Sequence, residues 1–474
     1  MPVDPLRLHL PERPTPIQGE FVLYWMQSTF RAHHNFALAH AIDQADALGL
    51  PLLVYHGLRR DYPWASDRFH TFILQSVVNL QADFAKRGIQ YAFWLDQDTT
   101  PGRVWPAPGE PAPARPPLSG ANPSPLVALA RRAAIVVTDY LPTFIHPGQL
   151  KGLRKKVATP VVAVDSATVV PMRFHEKAHL SAAGFRPVVM RVLDAFLAAL
   201  PEERAPRVPG PVTLPFTPTV PTEATIPALV ASCAIDHTVP PARGFVGGSR
   251  AGQARLAAFL KSGLARYADR SDPNADATSE LSPYLHFGNV SPHEVIRGAL
   301  ETGLEQAAKF VDEALVWREI AHNFCYFDPR HRTVDAIPPW AQAELEKHRE
   351  NPRPTLYTLE QLAAARTAEP LWNAAQRQYL VDGFMHNYLR MLWGKTVLQW
   401  TPDVATALRY LEDLNNRYSL DGRDASSYGG IFWIFGKFDR PFYRRDIYGT
   451  VRYQSLKTAK DKFDVDTLIR RYKA

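Results

Sequence analysis

Five short apolar runs alternate with helical patterns over the first third of the chain and are absent from the rest, and no other feature of the sequence constrains the fold as tightly. The runs are Phe21 to Met26, Leu52 to Tyr55, Tyr91 to Leu95, Ala134 to Thr138 and Val161 to Val164. Between the first two, Ala37, Ala41 and Ala45 recur at helical spacing, and a longer helical stretch covers Phe72 to Phe84. Strands that are apolar throughout, rather than at every second residue, are buried on both faces, so helices must cover both sides of a mainly parallel sheet. The expected fold class is therefore a doubly wound α/β sheet. The turn after the first strand reads Gln27-Ser28-Thr29-Phe30 and lacks a glycine-rich phosphate loop, so no dinucleotide is expected there.

From about Gly247 onward amphipathic helical patterns dominate and aromatics are dense, so the second half is expected to be all-α. A chain of 474 residues exceeds what one ordinary core organises. Two proline-dense segments divide it: Pro101 to Pro125 with nine prolines and Pro201 to Pro241 with ten, both too rich for helix or central strand. The expected organisation is an α/β domain over 1–175 with an insertion near 101–125, a connection over 176–245, and a helical domain over 246–474. No repeat of fixed period occurs.

Lys and Arg exceed Asp and Glu by 54 to 47, which makes polyanions plausible partners but equally describes a solvated basic surface. The two cysteines, Cys233 and Cys325, have no metal-type or disulfide-framework spacing, and the adjacent His33 and His34 cannot present two imidazoles on one helical face, so no metal is expected. No run of about 20 apolar residues is present and the N-terminus carries Pro and charge, so an intracellular, cytoplasmic protein is expected, beside the nucleoid in a prokaryote.

Four stretches carry chemistry. Thr278 to Gly288 (TSELSPYLHFG) gathers small hydroxyls ahead of a helix starting near Ser291, an arrangement that suits a phosphate and also suits a plain cap and turn. Trp393 and Trp400 are seven apart, which puts them on one helical face about 10 Å apart along the axis. Such a stripe serves equally as core. Leu414 to Asp424 (LNNRYSLDGRD) is polar and follows a helix starting near Pro402; it can cap that helix, or Asp421 can pair with Arg390 beside a ligand. Between Lys437 and Lys462 eight basic residues, Arg440, Arg444, Arg445 and Arg452 among them, face three acids, with Phe438, Phe442, Tyr443, Tyr448 and Tyr453 interleaved. Basic groups neutralise phosphates while aromatics stack on bases or wedge into a duplex.

Taken in order, LSPYLHFG (281–288), RE-x-x-x-NFC (318–325), LWNAAQ (371–376), MH-x-x-x-RM-x-W-x-K (385–395) and LDGRD (420–424) resemble the pattern of the class II cyclobutane pyrimidine dimer photolyases, within the photolyase and cryptochrome superfamily. The resemblance covers most of the chain. It implies FAD in the helical domain, with Tyr267 and Thr278, Ser279, Glu280, Leu281 and Ser282 at its phosphates, and Arg390, Asn415, Asp421 and Gly422 around the ring system, Asn415 facing N5. It implies Trp317 and Trp433 as indoles sandwiching a flipped-out dimer, with Glu313, Tyr357 and Met391 completing the pocket. Glu313 would act as hydrogen-bond donor or proton source. Trp372, Trp393 and Trp400 would relay electrons to oxidised flavin, and Arg270, Arg440, Arg444 and Arg452 would contact DNA.

The implied activity is blue-light repair of dimers in UV-damaged DNA by electron transfer from fully reduced FAD, carried out by a monomer without an obligate protein partner. A second, antenna chromophore of deazaflavin or folate type is the further cofactor implied. Three positions depart from the pattern: Asn387 where the family has Gly, Ser271 where it has Asn, and a loop from Ile434 to Arg440 one residue shorter. The competing functions are a cryptochrome-like photosensor, in which a long signalling tail is often present whereas this chain ends at Ala474, a light-independent basic DNA-binding protein, and a flavin oxidoreductase, for which no nicotinamide fingerprint is present. Repair of 6-4 photoproducts would need a pocket histidine, and His286 and His386, both within the matched motifs, are assigned no such role.

Overall fold

The computed structural model describes residues 2–97 and 124–473. Most of the expected insertion near 101–125 lies outside the described residues; its last residue, Pro125, opens the helix Pro125–Arg132 with Ser124 as cap.

Six strands form one sheet: β1 (Leu8–His9), β2 (Phe21–Met26), β3 (Leu52–Leu58), β4 (Gln90–Leu95), β5 (Ala133–Asp139) and β6 (Val161–Val164). Their order is β1-β6-β5-β2-β3-β4, parallel throughout except for β1, which runs antiparallel to β6. All five expected strands are present, within three residues at their ends. β1 was not expected, because two residues, Leu8 and His9, carry no readable pattern. Every residue of β2, β5 and β6 is buried, because helices cover both faces. One face lies under the helices Phe36–Leu48 and Asp67–Lys86. The first begins where Asn35 accepts the N–H of Leu38 and ends at Gly49, whose φ of +65° provides the left-handed terminus.

The segment expected as a connection, 176–245, contains the helices Ala182–Ala198 and Ile226–Ala231. The second falls inside the proline-dense stretch and corrects the expectation that proline excludes helix there: Pro227 occupies the first turn, where its missing N–H costs no hydrogen bond.

Beyond Gly247 the described residues are helical with no named strand. The helices that build the site are Pro292–Glu301, Arg318–Phe327, Pro370–Asp382, Asn387–Gln399, Val404–Tyr418 and Ala425–Ile434. Ser291 and Glu294 form a reciprocal capping box on the first of these, at the start read from the sequence.

The α/β and helical regions share one continuous core. Buried charged groups stitch them together. Arg68 donates to the carbonyls of Pro240, Tyr379, Leu380 and Tyr418. Glu319 accepts the N–H groups of Val169 and Val170, and Trp64 Nε1 donates to Asp413 at 2.9 Å. Among the described residues no helix is long and apolar enough to cross a membrane.

Candidate active site

The helical region encloses a cleft of about 590 Å³. Its walls include the turn 267–271, the loop and short helix 278–285, the stretch 309–321, the helices carrying Arg390 and Trp433, and the loop carrying Asp421. Tyr267, Arg270, Thr278, Ser279, Glu280, Leu281, Ser282, Glu313, Trp317, Arg390, Met391, Asp421 and Trp433 all line it, so residues more than 160 positions apart in sequence converge as expected.

Local geometry explains how they converge. Glu313 and Trp317 lie on a wide π-helical turn, Asp312–Trp317, that runs directly into the helix Arg318–Phe327. Such bulges re-aim side chains and recur at functional sites. Glu313 pairs with Lys309 at 2.7 Å and lies 3.9 Å from Arg270. Glu280 holds a positive φ of 49° and pairs with Arg255, and burial pushes its carboxyl up.

Arg390 and Asp421 form a buried ion pair with both carboxylate oxygens at 3.0 and 3.1 Å. Burial opposes the charge on Asp421, but Arg390, Ser282 and Ser419 outweigh it and hold the carboxyl below its usual range. Three buried polar atoms on the cleft wall have no protein partner: Arg390 Nε, Ser426 Oγ and Gln454 Oε1. Unpaired buried polar groups are costly, so the wall is shaped for a polar ligand, and a flavin with its diphosphate, ribityl hydroxyls and ring carbonyls matches that donor and acceptor set.

Several expected residues lie elsewhere. Asn415 does not line the cleft: it is packed behind Ser427, donating to Ser427 Oγ at 3.1 Å and to Asn416 at 3.0 Å while accepting from Tyr379. Gly422 lies in the same layer, where an added Cβ would come within 2.7 Å of the Asn415 carbonyl. Tyr357, expected in the dimer pocket, packs edge-on against Trp400 with ring centroids 4.9 Å apart, and its N–H donates to the Trp400 carbonyl. The reason is helix length: Trp400 follows Met391 by nine residues, about 13.5 Å along the axis, which carries Tyr357 away from the cleft.

The tryptophans separate into two groups. Trp372 and Trp393 stack with centroids 6.2 Å apart and planes 10° apart, and Trp400 meets Trp372 at 5.5 Å. Trp372 Nε1 donates to the Trp393 carbonyl and Trp393 Nε1 to Gln376, so both indole N–H groups are satisfied in the interior. Tyr379 bridges towards the cleft, 5.7 Å from Trp393 and 5.5 Å beneath Arg390. The stripe read as Trp393 and Trp400 on one helix is thus completed by Trp372 between them.

On the rim, Arg452 pairs with Asp439 at 2.7 Å and stacks on Trp433 and Phe442. Arg440 is exposed, and Arg444 reaches Glu344 at 3.3 Å. The short loop 434–440 turns through positive φ at Gly436 and Phe438. Asn387 and Ser271 both line the cleft. His286 lines a different cavity and His386 lies outside this cleft, and burial lowers both imidazoles to about 4.

Sequence reasoning missed Gly429, which lets Ala321 approach the helix Ala425–Ile434 closely: an added Cβ would come within 2.5 Å of the Ala321 methyl. Two consecutive glycines inside a helix, costing about 1 kcal/mol each, were the available signal. It also missed Lys395, fully buried and donating to the Ile434 carbonyl at 2.6 Å, with Trp433 5.5 Å away.

A second cavity, about 460 Å³, opens at the ends of β2 and β3 and is lined by Trp25, Gln27, Tyr55, Trp94, Phe144 and Arg423 among others. It lies where strand order reverses between β2 and its neighbours β5 and β3, the usual ligand position in such sheets. No glycine motif announces it. Arg423, buried and with Nη2 unpaired, faces it from the loop whose Asp421 and Asp424 face the cleft.

Residues 22–103 match the family model described as DNA photolyase. A deoxyribodipyrimidine photo-lyase of Methanothermobacter thermautotrophicus is 33% identical over 96% of this chain and 95% of its own length. The chain belongs to the DNA photolyase family. A photo-lyase of Potorous tridactylus is 32% identical over 94% of the chain and 80% of its own length. Among solved structures, a class III photolyase from Agrobacterium tumefaciens aligns with TM-score 0.65 over 98% of this chain and 88% of its own, at 17% identity. A cryptochrome from Synechocystis aligns with TM-score 0.65, covering 95% of this chain and 88% of its own at 16% identity, so fold alone does not separate repair from sensing. A Sulfolobus tokodaii photolyase, described with two FAD molecules and as implying a novel light-harvesting cofactor, aligns at TM-score 0.63 over 95% of this chain and 90% of its own, at 15% identity.

Proposed function

We propose that this protein repairs cyclobutane pyrimidine dimers in UV-damaged DNA under blue light, as a class II enzyme, with FAD in the cleft. The observation that carries the proposal is that Trp317 and Trp433 both line the cleft, in company with Met391 and Glu313. A photosensor or a light-independent DNA-binding protein has no use for two open indoles beside a polar cofactor cavity.

FAD would be held by Tyr267 and the 278–282 loop at its phosphates and by the Arg390–Asp421 pair at its ring, with Asn415 acting through Ser427. Bound and fully reduced, FAD would supply, on absorbing blue light, one electron to the dimer and take it back once the cyclobutane ring has split, so that repair carries no net redox change. The protein's own part is to bind and orient. Extruding a base pair costs a few kcal/mol, least at a distorted lesion, and stacking on Trp317 and Trp433 offsets about 1–3 kcal/mol per base. Glu313, paired with Lys309 and near Arg270, would hydrogen-bond the dimer from the cleft wall. Arg270, Arg440, Arg444 and Arg452 face the phosphates. Trp400, Trp372 and Trp393 lead from the far side of the helix Asn387–Gln399 towards Tyr379 and the cleft, a path for electrons that restore the reduced cofactor.

The second cavity is proposed to hold an antenna chromophore of deazaflavin or folate type. The enzyme is proposed to act as a monomer. The test is repair of an oligonucleotide carrying one thymine dimer by protein with reduced FAD. Restoration of intact thymines in blue light and none in darkness is expected; no repair in light by loaded, lesion-bound protein would overturn the proposal.

A further inference from the structure

The turn after β2 lacks glycine, yet it forms an anion-binding nest all the same. The backbone N–H groups of Gln27, Ser28 and Thr29 all donate to one carboxylate oxygen, Oδ2 of Asp139, at 2.8, 2.9 and 3.1 Å. The other oxygen accepts the Tyr24 hydroxyl at 2.8 Å, and Asn35 in turn donates to that hydroxyl. Successive N–H groups converging on one point bind anions, and in doubly wound sheets the turn after the first strand is where a ligand's phosphate sits. Here the chain supplies the anion itself, from the last residue of β5.

The turn is locked in this arrangement. Phe30 N–H donates to the Phe287 carbonyl at 3.0 Å, Arg31 Nη1 to the Gly288 carbonyl at 2.9 Å, and Asn289 Nδ2 to the Phe30 carbonyl at 3.2 Å, so the helical region holds it from behind. Gly288 lies so close that an added Cβ would come within 2.4 Å of the Ser28 carbonyl oxygen. Asp139 is buried, and its carboxylate stands fixed behind Gln27 and Ser28, which line the second cavity. Two of that cavity's cations offer a phosphate little. Arg59 is already paired with Asp61 at 2.5 Å, and Arg423 lies 3.4 Å over the Phe69 ring with only Nη2 left unpaired, a donor for one carbonyl or hydroxyl. Trp25, Tyr55 and Trp94 add flat apolar surface.

We propose that Asp139 is a built-in stand-in for phosphate and makes the second cavity select a planar chromophore that carries none. The inference rests on the chromophore reading of that cavity and narrows its ligand. Phosphate-free deazaflavins and folates fit; a flavin mononucleotide or dinucleotide meets a like charge and finds the N–H donors taken.

The experiment titrates the FAD-loaded full chain with 5-deazariboflavin, with its 5′-phosphate and with folic acid, followed by calorimetry. Wild type is expected to bind 5-deazariboflavin and to bind the phosphate ester at least about tenfold more weakly. Asp139→Asn, which keeps the nest filled, is expected to bind the ester no more tightly than the parent deazaflavin. Asp139→Gly, which empties the nest, is expected to reverse the preference. Its melting temperature is also expected to rise on adding inorganic phosphate, measured against chloride at equal ionic strength, while that of wild type does not. That second readout stands even where the emptied nest weakens the fold, and no rise in Asp139→Gly would show that the turn is not an anion site. If wild type binds the ester as tightly as its parent, the selection is wrong while the chromophore reading survives. If wild type binds neither deazaflavin nor folic acid, the chromophore reading fails and the selection with it.

Discussion

Trp317 and Trp433 are part-buried and open onto a 590 Å³ cleft, whereas Trp372 and Trp393 are 1% exposed, hydrogen-bonded through both indole N–H groups and stacked on each other. The same side chain serves two purposes here, and environment decides which. An indole with one face free can receive a planar ligand; an indole enclosed by other rings can only exchange electrons with them or fill space. Cations sharpen the contrast: Lys395 and Arg452 approach the Trp433 ring at 5.5 and 5.2 Å, while among the described residues no Lys or Arg is recorded over the buried trio.

The division would break first at Trp393. Trp393→Phe is expected to reduce light-driven FAD reduction to background, followed by absorbance of the oxidised cofactor, and to leave repair by chemically reduced enzyme intact. Undiminished photoreduction would return the buried trio to plain core.

Asp421 stands where the two groups meet, since Arg390 lies over Tyr379 and Tyr379 abuts Trp393. Asp421→Asn leaves the Arg390 charge buried without its partner, a loss of about 3–5 kcal/mol, read as a drop in thermal stability together with loss of FAD on gel filtration. Retained FAD and an unchanged melting temperature would show that the pair holds neither.

For the open indoles, Trp317→Ala and Trp433→Ala are each expected to weaken lesion binding by about 1–3 kcal/mol, roughly 5- to 150-fold, with FAD retained. Loss of FAD with unchanged lesion affinity after refilling would assign them to the cofactor instead of the dimer.

A pH-dependent effect concerns Lys395 beside Trp433. Burial lowers its ammonium from the ordinary 10.5 to about 7. Between those values the unfolded chain binds more protons than the folded one, so this group's contribution makes the fold more stable as pH rises from about 7 towards 10.5. Lys395→Met lacks that gain, and the melting temperature of wild type minus that of the variant is expected to climb from pH 7 to pH 10. A flat difference would show that the lysine titrates normally.

How far the sequence could be read follows the same physics. Strands buried on both faces, such as Phe21 to Met26, announce themselves because every residue must be apolar; the helix start at Ser291 is written in its cap, and the helix expected to start near Pro402 is capped by Asp403. The cleft residues were legible through motifs whose order matched a family. What remained hidden depends on distance in three dimensions. Tyr357 was assigned to the dimer pocket although its backbone is tied to Trp400 at the other end of a helix. Asn415 shows a polar amide in sequence but not the Ser427 hydroxyl standing between it and the cleft. The π-helical turn at 312–317 and the cavity beside Arg423 arise from backbone geometry and strand order, and neither leaves a residue pattern.

The most direct test of this division of labour is dimer repair, in blue light, by pre-reduced Trp393→Phe and Trp317→Ala proteins at limiting lesion concentration. The account predicts wild-type repair by Trp393→Phe and repair by Trp317→Ala reduced in proportion to its weakened binding. Failure of Trp393→Phe together with full repair by Trp317→Ala would contradict it.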